Sequence, residues 1–431
     1  MFLYDLFLEH PVITTDSRHC VVGSLFFALR GEKFNANEFA ASALEKGCAY
    51  AIIDDKAFAT DNRYILVKDV LQTLQELATW HRKQLGTKII GITGSNGKTT
   101  TKELIVSVLS EKYKVHYTRG NLNNHIGVPL TLLQLTTHHQ LAVVEMGANH
   151  QGEIKLLSEI ACPDFGIITN VGKAHLDGFG GFEGVKKAKG ELYDYIANDG
   201  LGIFINDLNP HLKQMVQKAG LNNDKVIPFA LKEIADMEMV TGKILENDTY
   251  LSMECHTGSA FRVDTKLVGD YNAENVLAAV TVGHFFGLKN IQIKQGIEKY
   301  EPQNNRSQFM QTVKNKLIVD AYNANPTSMT AAISNFATLQ GENKIVILGG
   351  MKELGDETAA EHASIVNLLK NHPFKQVMLV GEEFMNLDAP FNLFSDATEL
   401  MQYLETNPPI EAFILIKGSR AIQLEKIIPM L

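Results

Sequence analysis

Short apolar runs recur along this chain with helix-length segments between them, a spacing that predicts alternating strands and helices. VVGSLFFAL at 21–29 and AYAIIDD at 49–55 read as strands and turns, and LQTLQELATWHRKQL at 71–85 as a helix. Together they predict a small N-terminal α/β domain over 1–82 with its connecting helix. TKIIGITG then enters a glycine loop, and LAVVEMG at 141–147, DFGIITNVG at 164–172 and GLGIFIND at 200–207 continue the alternation. Such alternation marks a parallel sheet covered by helices, here a central domain over 83–302. From residue 303 a third series begins: KLIVDAYNANP, KIVILGG, QVMLVG and FILIKGSR. It predicts a second, smaller open α/β sheet over 303–431, with polar residues at its strand ends, where ligands of such sheets sit. The predicted fold class is therefore α/β in three domains, and a length of 431 residues agrees with about three at roughly 150 residues each.

The stretch GITGSNGKTTTKELI at 91–105 carries the first chemistry. It differs from the phosphate-loop pattern G-x-x-x-x-G-K-[ST] by Ile92 in place of the first glycine, yet Gly94, Gly97, Lys98 and Thr99 stand where that chemistry needs them. After the loop, Leu104, Ile105, Val108 and Leu109 recur at helical spacing, giving the strand, loop and helix that the motif requires. Backbone N–H groups of Gly94, Ser95, Asn96, Gly97, Lys98, Thr99 and Thr100 would surround the phosphates at the helix N-terminus. Lys98 would neutralise the outer phosphates and Thr99 would ligate Mg²⁺. The rival reading, a glycine turn before an exposed lysine, explains fewer of these residues.

Glu145 ends the apolar run LAVV, the place for a metal carboxylate beside a phosphate loop. His175 in NVGKAHLDGFGG follows another strand, but a lone histidine is as readily structural. Lys189 in KKAKGEL reads by itself as one lysine of a solvated helix face.

Composition narrows the class. The apolar fraction of 45% with 21% charged residues is that of a globular protein. A net charge of −9 gives no general footprint for nucleic acid, so no nucleic-acid partner is expected. No apolar run approaches the ~18 residues of a membrane span, and the acidic start MFLYDLFLEH is not a secretory signal. Cys20, Cys48, Cys162 and Cys255 lack metal-like spacing, which fits reduced thiols. The expected setting is cytoplasmic, and the expected state a monomer.

A set of motifs in fixed order then carries a resemblance. TGSNGKTTTKE, NLNNHIGVPLTLL at 121–133, VVEMGANHQGEI at 143–154, ITNVGKAHLDGFG at 168–180, AKGEL at 188–192, GDYNAENVLAA at 269–279 and DAYNANP at 320–326 resemble the Mur ligases. DAYNANP and ILGGMKELG are similar to the branch that joins D-alanyl-D-alanine to a UDP-N-acetylmuramoyl-tripeptide. The resemblance implies a substrate-binding first domain, a central ATPase domain and a Rossmann-like third domain. It implies ATP-driven amide formation through an acyl phosphate, in peptidoglycan precursor synthesis.

The family's roles carry over residue by residue. Thr99 and Glu145 would hold a first Mg²⁺, and His175 with Lys189 would serve a second, Lys189 being carbamylated. Asn124 and His125 would border the phosphoryl and acyl groups. Asn272 and Asn275 would contact adenine, although helix capping would also favour asparagine there. Arg306, Asp320 and Tyr322 would reach the γ-phosphate and ribose, and Asn323, Asn325, Lys417 and Ser419 would form the dipeptide pocket. Asp16, Ser17 and Arg18 would bind the uridine nucleotide, but Asn35, Ala36 and Asn37 depart from the family's Asp-Gly-His. Two rivals stay open: another amide ligase of the superfamily, including folylpolyglutamate synthase, and a P-loop switch ATPase. The first shares the central motifs, and the second would hydrolyse ATP without a carboxylate substrate.

Overall fold

The computed structural model describes residues 2–233, 239–246, 249–303 and 305–431. Its strands form three principal sheets. The first pairs Ile13–Thr14, Leu25–Phe27, Tyr50–Ile53 and Tyr64–Leu66 in parallel, in chain order. The helix Val70–Leu85 follows, started by Asp69, whose carboxylate accepts the Gln72 N–H at 2.7 Å, and stopped by Gly86 at φ 64°. Val70, Leu74, Leu77 and Ala78 share its buried face, and Arg82 reaches out of it to Asp164 of the next unit at 2.7 Å. The predicted connecting helix is thus anchored at both ends.

Among the described residues the central sheet has nine strands. Lys88–Thr93 lies between Phe165–Ile168 and Leu141–Glu145, all parallel, with Val115–Tyr117 at the edge. Gly202–Asn206, Val226–Leu231 and Val240–Leu245 extend it on the other side, and Ser252–His256 and Ala260–Asp264 close it as antiparallel strands. The strands from 226 onward were not expected from the apolar pattern. Val226–Leu231 is apolar throughout but carries Pro228, which argues against an interior strand, and the later ones mix polar with apolar residues, Val240–Leu245 being buried at one end only.

Ile92, the residue that breaks the phosphate-loop pattern, is fully buried inside its strand, paired with Ile167 and Glu145. It belongs to the core, so the loop proper is only Gly94 to Gly97. The helix Lys98–Leu109 buries Leu104, Ile105, Val108 and Leu109 completely, each contributing about 2 kcal/mol.

The third sheet has six strands: Lys316–Asp320 and Lys344–Gly349 flank Phe413–Lys417 in parallel, with Gln376–Val380 and Asn392–Phe394 beyond. Gln308–Gln311 adds an antiparallel edge. One apolar cluster includes Phe7 of the first unit, Val144 of the second and Ile318 of the third, so the three α/β units pack together.

Candidate active site

A cavity of about 870 Å³ lies where the central and third sheets face each other, large enough for a nucleotide and part of a second substrate. Its walls come from loops that follow strand ends, the expected location in open α/β sheets.

The glycine loop is held in shape before any ligand contact. Gly94 has φ 145°, and a Cβ there would fall 2.0 Å from the Thr169 hydroxyl oxygen. Gly97 has φ 78°, and its Cβ would meet Asn275 Oδ1 at 2.6 Å. Only glycine fits either place. Ser95 Oγ donates to the Gly172 carbonyl at 3.1 Å and accepts the Gly172 N–H at 2.9 Å, while the Asn96 N–H donates to Asn170 Oδ1 at 3.0 Å. The Lys98 ammonium donates to the carbonyls of Gly94 at 2.7 Å and Ser95 at 3.2 Å. Loss of solvent lowers its pKa, and Glu145 opposes that shift.

Glu145 is 2% exposed. Its Oε2 accepts the Thr99 hydroxyl at 2.9 Å, its Oε1 accepts the Asn123 amide at 2.8 Å, and Lys102 Nζ stands 3.7 Å from Oε2. Lys102, only 1% exposed, donates instead to the Thr118 carbonyl at 2.8 Å. A buried carboxylate beside a threonine hydroxyl at a helix N-terminus is a hard-oxygen set of the kind that Mg²⁺ takes together with phosphates. Among the described residues no group of three His, Cys, Asp or Glu side chains forms a ready-made metal cage.

Neither Lys102 nor Asn123 stood out in the sequence. Asn124 and His125 do line the cleft, but Asn124 Oδ1 accepts the N–H groups of Ile126 and Gly127 at 3.1 and 2.9 Å, turning the chain into the helix Gly127–Leu132. Asn123 is the residue of that motif that touches Glu145.

Asn272 and Asn275 also line the cleft. Asn272 stands at a helix start without a side-chain capping bond and donates to the Val268 carbonyl at 2.9 Å. Its oxygen accepts from Asn275, whose own oxygen accepts the Thr101 hydroxyl at 3.0 Å. The pair therefore ties the loop after Val268 to the phosphate-loop helix.

His175 lines the cleft with a left-handed backbone, φ 52°, and its Nδ1 pairs with Glu353 of the third unit. Lys189 does not line it. It lies behind the wall, 2% exposed, its Nζ 3.5 Å from the Ala148 carbonyl and 5.0 Å from the centre of the Phe179 ring. Burial, and secondarily the charge of Lys98, brings its pKa down to about 7.

Across the cleft the Arg306 guanidinium lies over the Tyr322 ring at 3.6 Å. Asp320 accepts the Ser307 N–H at 3.2 Å and pairs with Lys417 at 2.5 Å, and Lys417 is 2% exposed. Asn325 caps the helix Pro326–Thr338 through the Ser328 N–H and donates to Asn96 Oδ1 at 2.7 Å, so it joins the two units directly. Asn323 lines the cavity and accepts its neighbour's Ala324 N–H at 2.9 Å. Ser419 lies outside the cavity wall, where its hydroxyl accepts the Lys352 N–H at 3.2 Å.

Asp16, Ser17 and Arg18 do not line this cavity. Arg18 is bound to Asp16 at 2.8 to 3.2 Å, which holds that carboxyl well below its usual pKa, and the Ser17 carbonyl accepts Lys46 at 2.8 Å. The departure at Asn35 to Asn37 is structural: buried Asn37 donates to Asn35 at 2.7 Å and Asp54 at 2.8 Å and accepts the Asp54 N–H at 3.1 Å.

Comparison with known proteins decides the family. The Mur ligase middle domain model matches residues 92–283, and the Mur ligase glutamate ligase domain model matches residues 305–420. The UDP-N-acetylmuramoyl-tripeptide–D-alanyl-D-alanine ligase of Escherichia coli is 34% identical over 423 residues, 96% of this chain and 92% of its own. The chain belongs to the Mur ligase family. Among solved structures, MurF from Acinetobacter baumannii superimposes on this Mur ligase with a TM-score of 0.87 at 34% identity, covering 97% of this chain and 92% of that one. MurF from Thermotoga maritima, solved in complex with ADP, gives 0.86 at 26% identity, covering 99% and 97%. Among the described residues, no helix of this Mur ligase is long and apolar enough to cross a membrane.

Proposed function

We propose that this Mur ligase joins D-alanyl-D-alanine to UDP-N-acetylmuramoyl-tripeptide, converting ATP to ADP and phosphate. The observation that carries the reading is the single cleft in which Lys98, Thr99 and Glu145 of the central unit face Arg306, Asp320 and Lys417 of the third. Identity over nearly the whole length of the Escherichia coli ligase supports the same substrates. The source of ATP and of UDP-linked precursors makes the cytoplasm the natural setting.

The chemistry follows from the charges. The tripeptide's terminal carboxylate attacks the γ-phosphorus of ATP, and ADP leaves. Two anions must meet, so Lys98 and Arg306 offset their repulsion, and Arg306 suits phosphate oxygens because its guanidinium is a fixed fork. Mg²⁺, when bound by Thr99 and Glu145, supplies further neutralisation of the phosphates. The amine of the dipeptide then attacks the acyl carbon, phosphate leaves and an amide forms. Water would destroy the acyl phosphate, so the cross-cleft bond of Asn325 to Asn96 matters as part of a closed site.

In this reading residues 1–82 hold the uridine nucleotide through Asp16, Ser17 and Arg18, 83–302 bind ATP with Asn272 and Asn275 near adenine, and 303–431 close over it. Asn323, Asn325 and Lys417, which line the cavity, take the dipeptide, and Ser419 supports that wall from outside through the Lys352 N–H. Imidazole and amine are poor Mg²⁺ ligands, so a second ion at His175 and Lys189 depends on carbamylation of Lys189. A lysine with a pKa near 7 has the free amine that reacts with CO₂. Lys189→Ala should lose activity, with partial rescue by acetate; full unrescued activity would remove the carbamate.

The test of the whole reading is phosphate release from Mg-ATP with both substrates supplied and each omitted in turn, with the product mass measured. Release that needs both, with a product that has gained the dipeptide, is the expected result. Hydrolysis indifferent to either substrate would overturn it.

A further inference from the structure

Two residues with strained backbones meet across the seam between the central and third units. His175 sits in the loop after Phe165–Ile168 with φ 52°, and Glu353 sits in the loop after Lys344–Gly349 with φ 64°. Left-handed backbone is uncommon for glutamate, less so for histidine, and such strain gathers where a side chain must be aimed. The Glu353 carboxylate is more than half exposed, yet it is bent onto Nδ1 of the mostly buried imidazole. The ring's other side is set by Phe179, edge-on at 6.3 Å and 79°. The carboxylate approaches Nδ1 as an ion-pair contact and Phe179 lies edge-on to the ring, so Nε2 is the nitrogen that Glu353 leaves free.

We infer that Glu353 is a positioning residue for His175: it holds the imidazole as the tautomer with Nδ1–H donating to the carboxylate, so that docking of the third unit completes the central unit's site. This rests on the ligase reading above only for the activity it modulates. A carboxylate behind a histidine commonly fixes its tautomer and orientation in this way. The same seam carries a second ion pair that does not touch His175, Lys173 to Glu361 at 2.5 Å, and a bond from the Lys173 N–H to the Thr327 hydroxyl at 3.2 Å. That pair separates two roles: Glu361 can only dock the units, whereas Glu353 docks and aims.

The experiment compares Glu353→Gln, Glu353→Asp and Glu361→Gln in the full chain, by steady-state kinetics with both substrates and by ¹⁵N NMR of the His175 ring, assigned by its loss in His175→Ala. Glu353→Gln should lower kcat by at least about tenfold with the dipeptide KM nearly unchanged, and should shift the His175 ring nitrogens towards a tautomer mixture. Glu353→Asp should recover part of both, and Glu361→Gln should leave the ring signals in place. Equal kcat losses in Glu353→Gln and Glu361→Gln with unmoved ring signals would reduce Glu353 to a docking contact, and wild-type behaviour of Glu353→Gln would also overturn the inference. The NMR arm needs no substrate. A wild-type protein that fails to ligate would therefore sink the ligase reading while leaving the tautomer result to decide this one.

Discussion

The central and third sheets place an acid at the same topological point and make different things of it. Glu145 ends a strand in register with Ile92, beside the glycine loop, and Asp320 ends a strand in register with Lys417. Glu145 receives a hydroxyl and an amide, both neutral, while the Lys102 ammonium stands 3.7 Å from it and gives its hydrogen bond to a backbone carbonyl. Asp320 receives the Lys417 ammonium directly. The first carboxylate therefore has no ammonium hydrogen-bonded to its oxygens and can offer them to a further cation. The second is already neutralised, and what it has left is hydrogen-bond acceptance and the fixing of Lys417. Equivalent positions in two α/β sheets thus give a charge site and a structural pair, and the difference lies in what the neighbouring strand supplies.

The largest effect should come from Lys98, the cation proposed to face the phosphates. Lys98→Ala should cut kcat on the order of 10³-fold, measured as phosphate release, with an unchanged circular dichroism spectrum. Near-normal turnover would break the phosphate-loop assignment itself. Next, Glu145→Gln should lose on the order of 10²-fold and raise the Mg²⁺ concentration needed for half-maximal rate, because the amide has no charge to give. Its melting temperature should fall less than that of Asp320→Asn, since Thr99 still has an oxygen to donate to and Lys102 keeps its bond to the Thr118 carbonyl.

Asp320→Asn should show the reverse balance. It leaves the Lys417 ammonium buried and unpaired, which costs about 3 kcal/mol of stability, readable as a fall in the urea midpoint. Activity should fall less than in Glu145→Gln once temperature is lowered to keep the variant folded. If Glu145→Gln proved the less stable of the two, the division into charge site and structural pair would fail.

How much of this was readable beforehand depended on whether a residue's role is local. The strands around the cleft were legible because each is a short apolar run, and the loop was legible because Gly94, Gly97 and Lys98 act at fixed offsets in one turn. Lys102 was not. It reads as one more lysine on a helix, and only the packing of Thr118 and Glu145 around it makes it a buried cation. Glu353 was hidden for a similar reason: MKELG was visible as a motif, but nothing near it in the chain names His175 as the partner. Asn123 was lost to its neighbours Asn124 and His125, because three polar residues in a row give no sign of which one turns inward. The antiparallel edge at Ser252–His256 and Ala260–Asp264 lacked the apolar run that marked the buried strands.

The smallest effect belongs to the first unit, whose candidate residues do not line the cleft and, in Asp16 and Arg18, bind one another in the open. Asp16 and Arg18 form an exposed pair, and such pairs contribute little because water already solvates both charges. Asp16→Ala should therefore leave the melting temperature and kcat unchanged and raise the KM for the UDP-linked substrate by no more than about fivefold, since its work would be to hold the Arg18 side chain and the Ser17 turn in place. A loss of kcat instead would mean that the first unit reaches the chemistry, and the contrast between a buried catalytic cleft and a solvated docking loop would have to be redrawn.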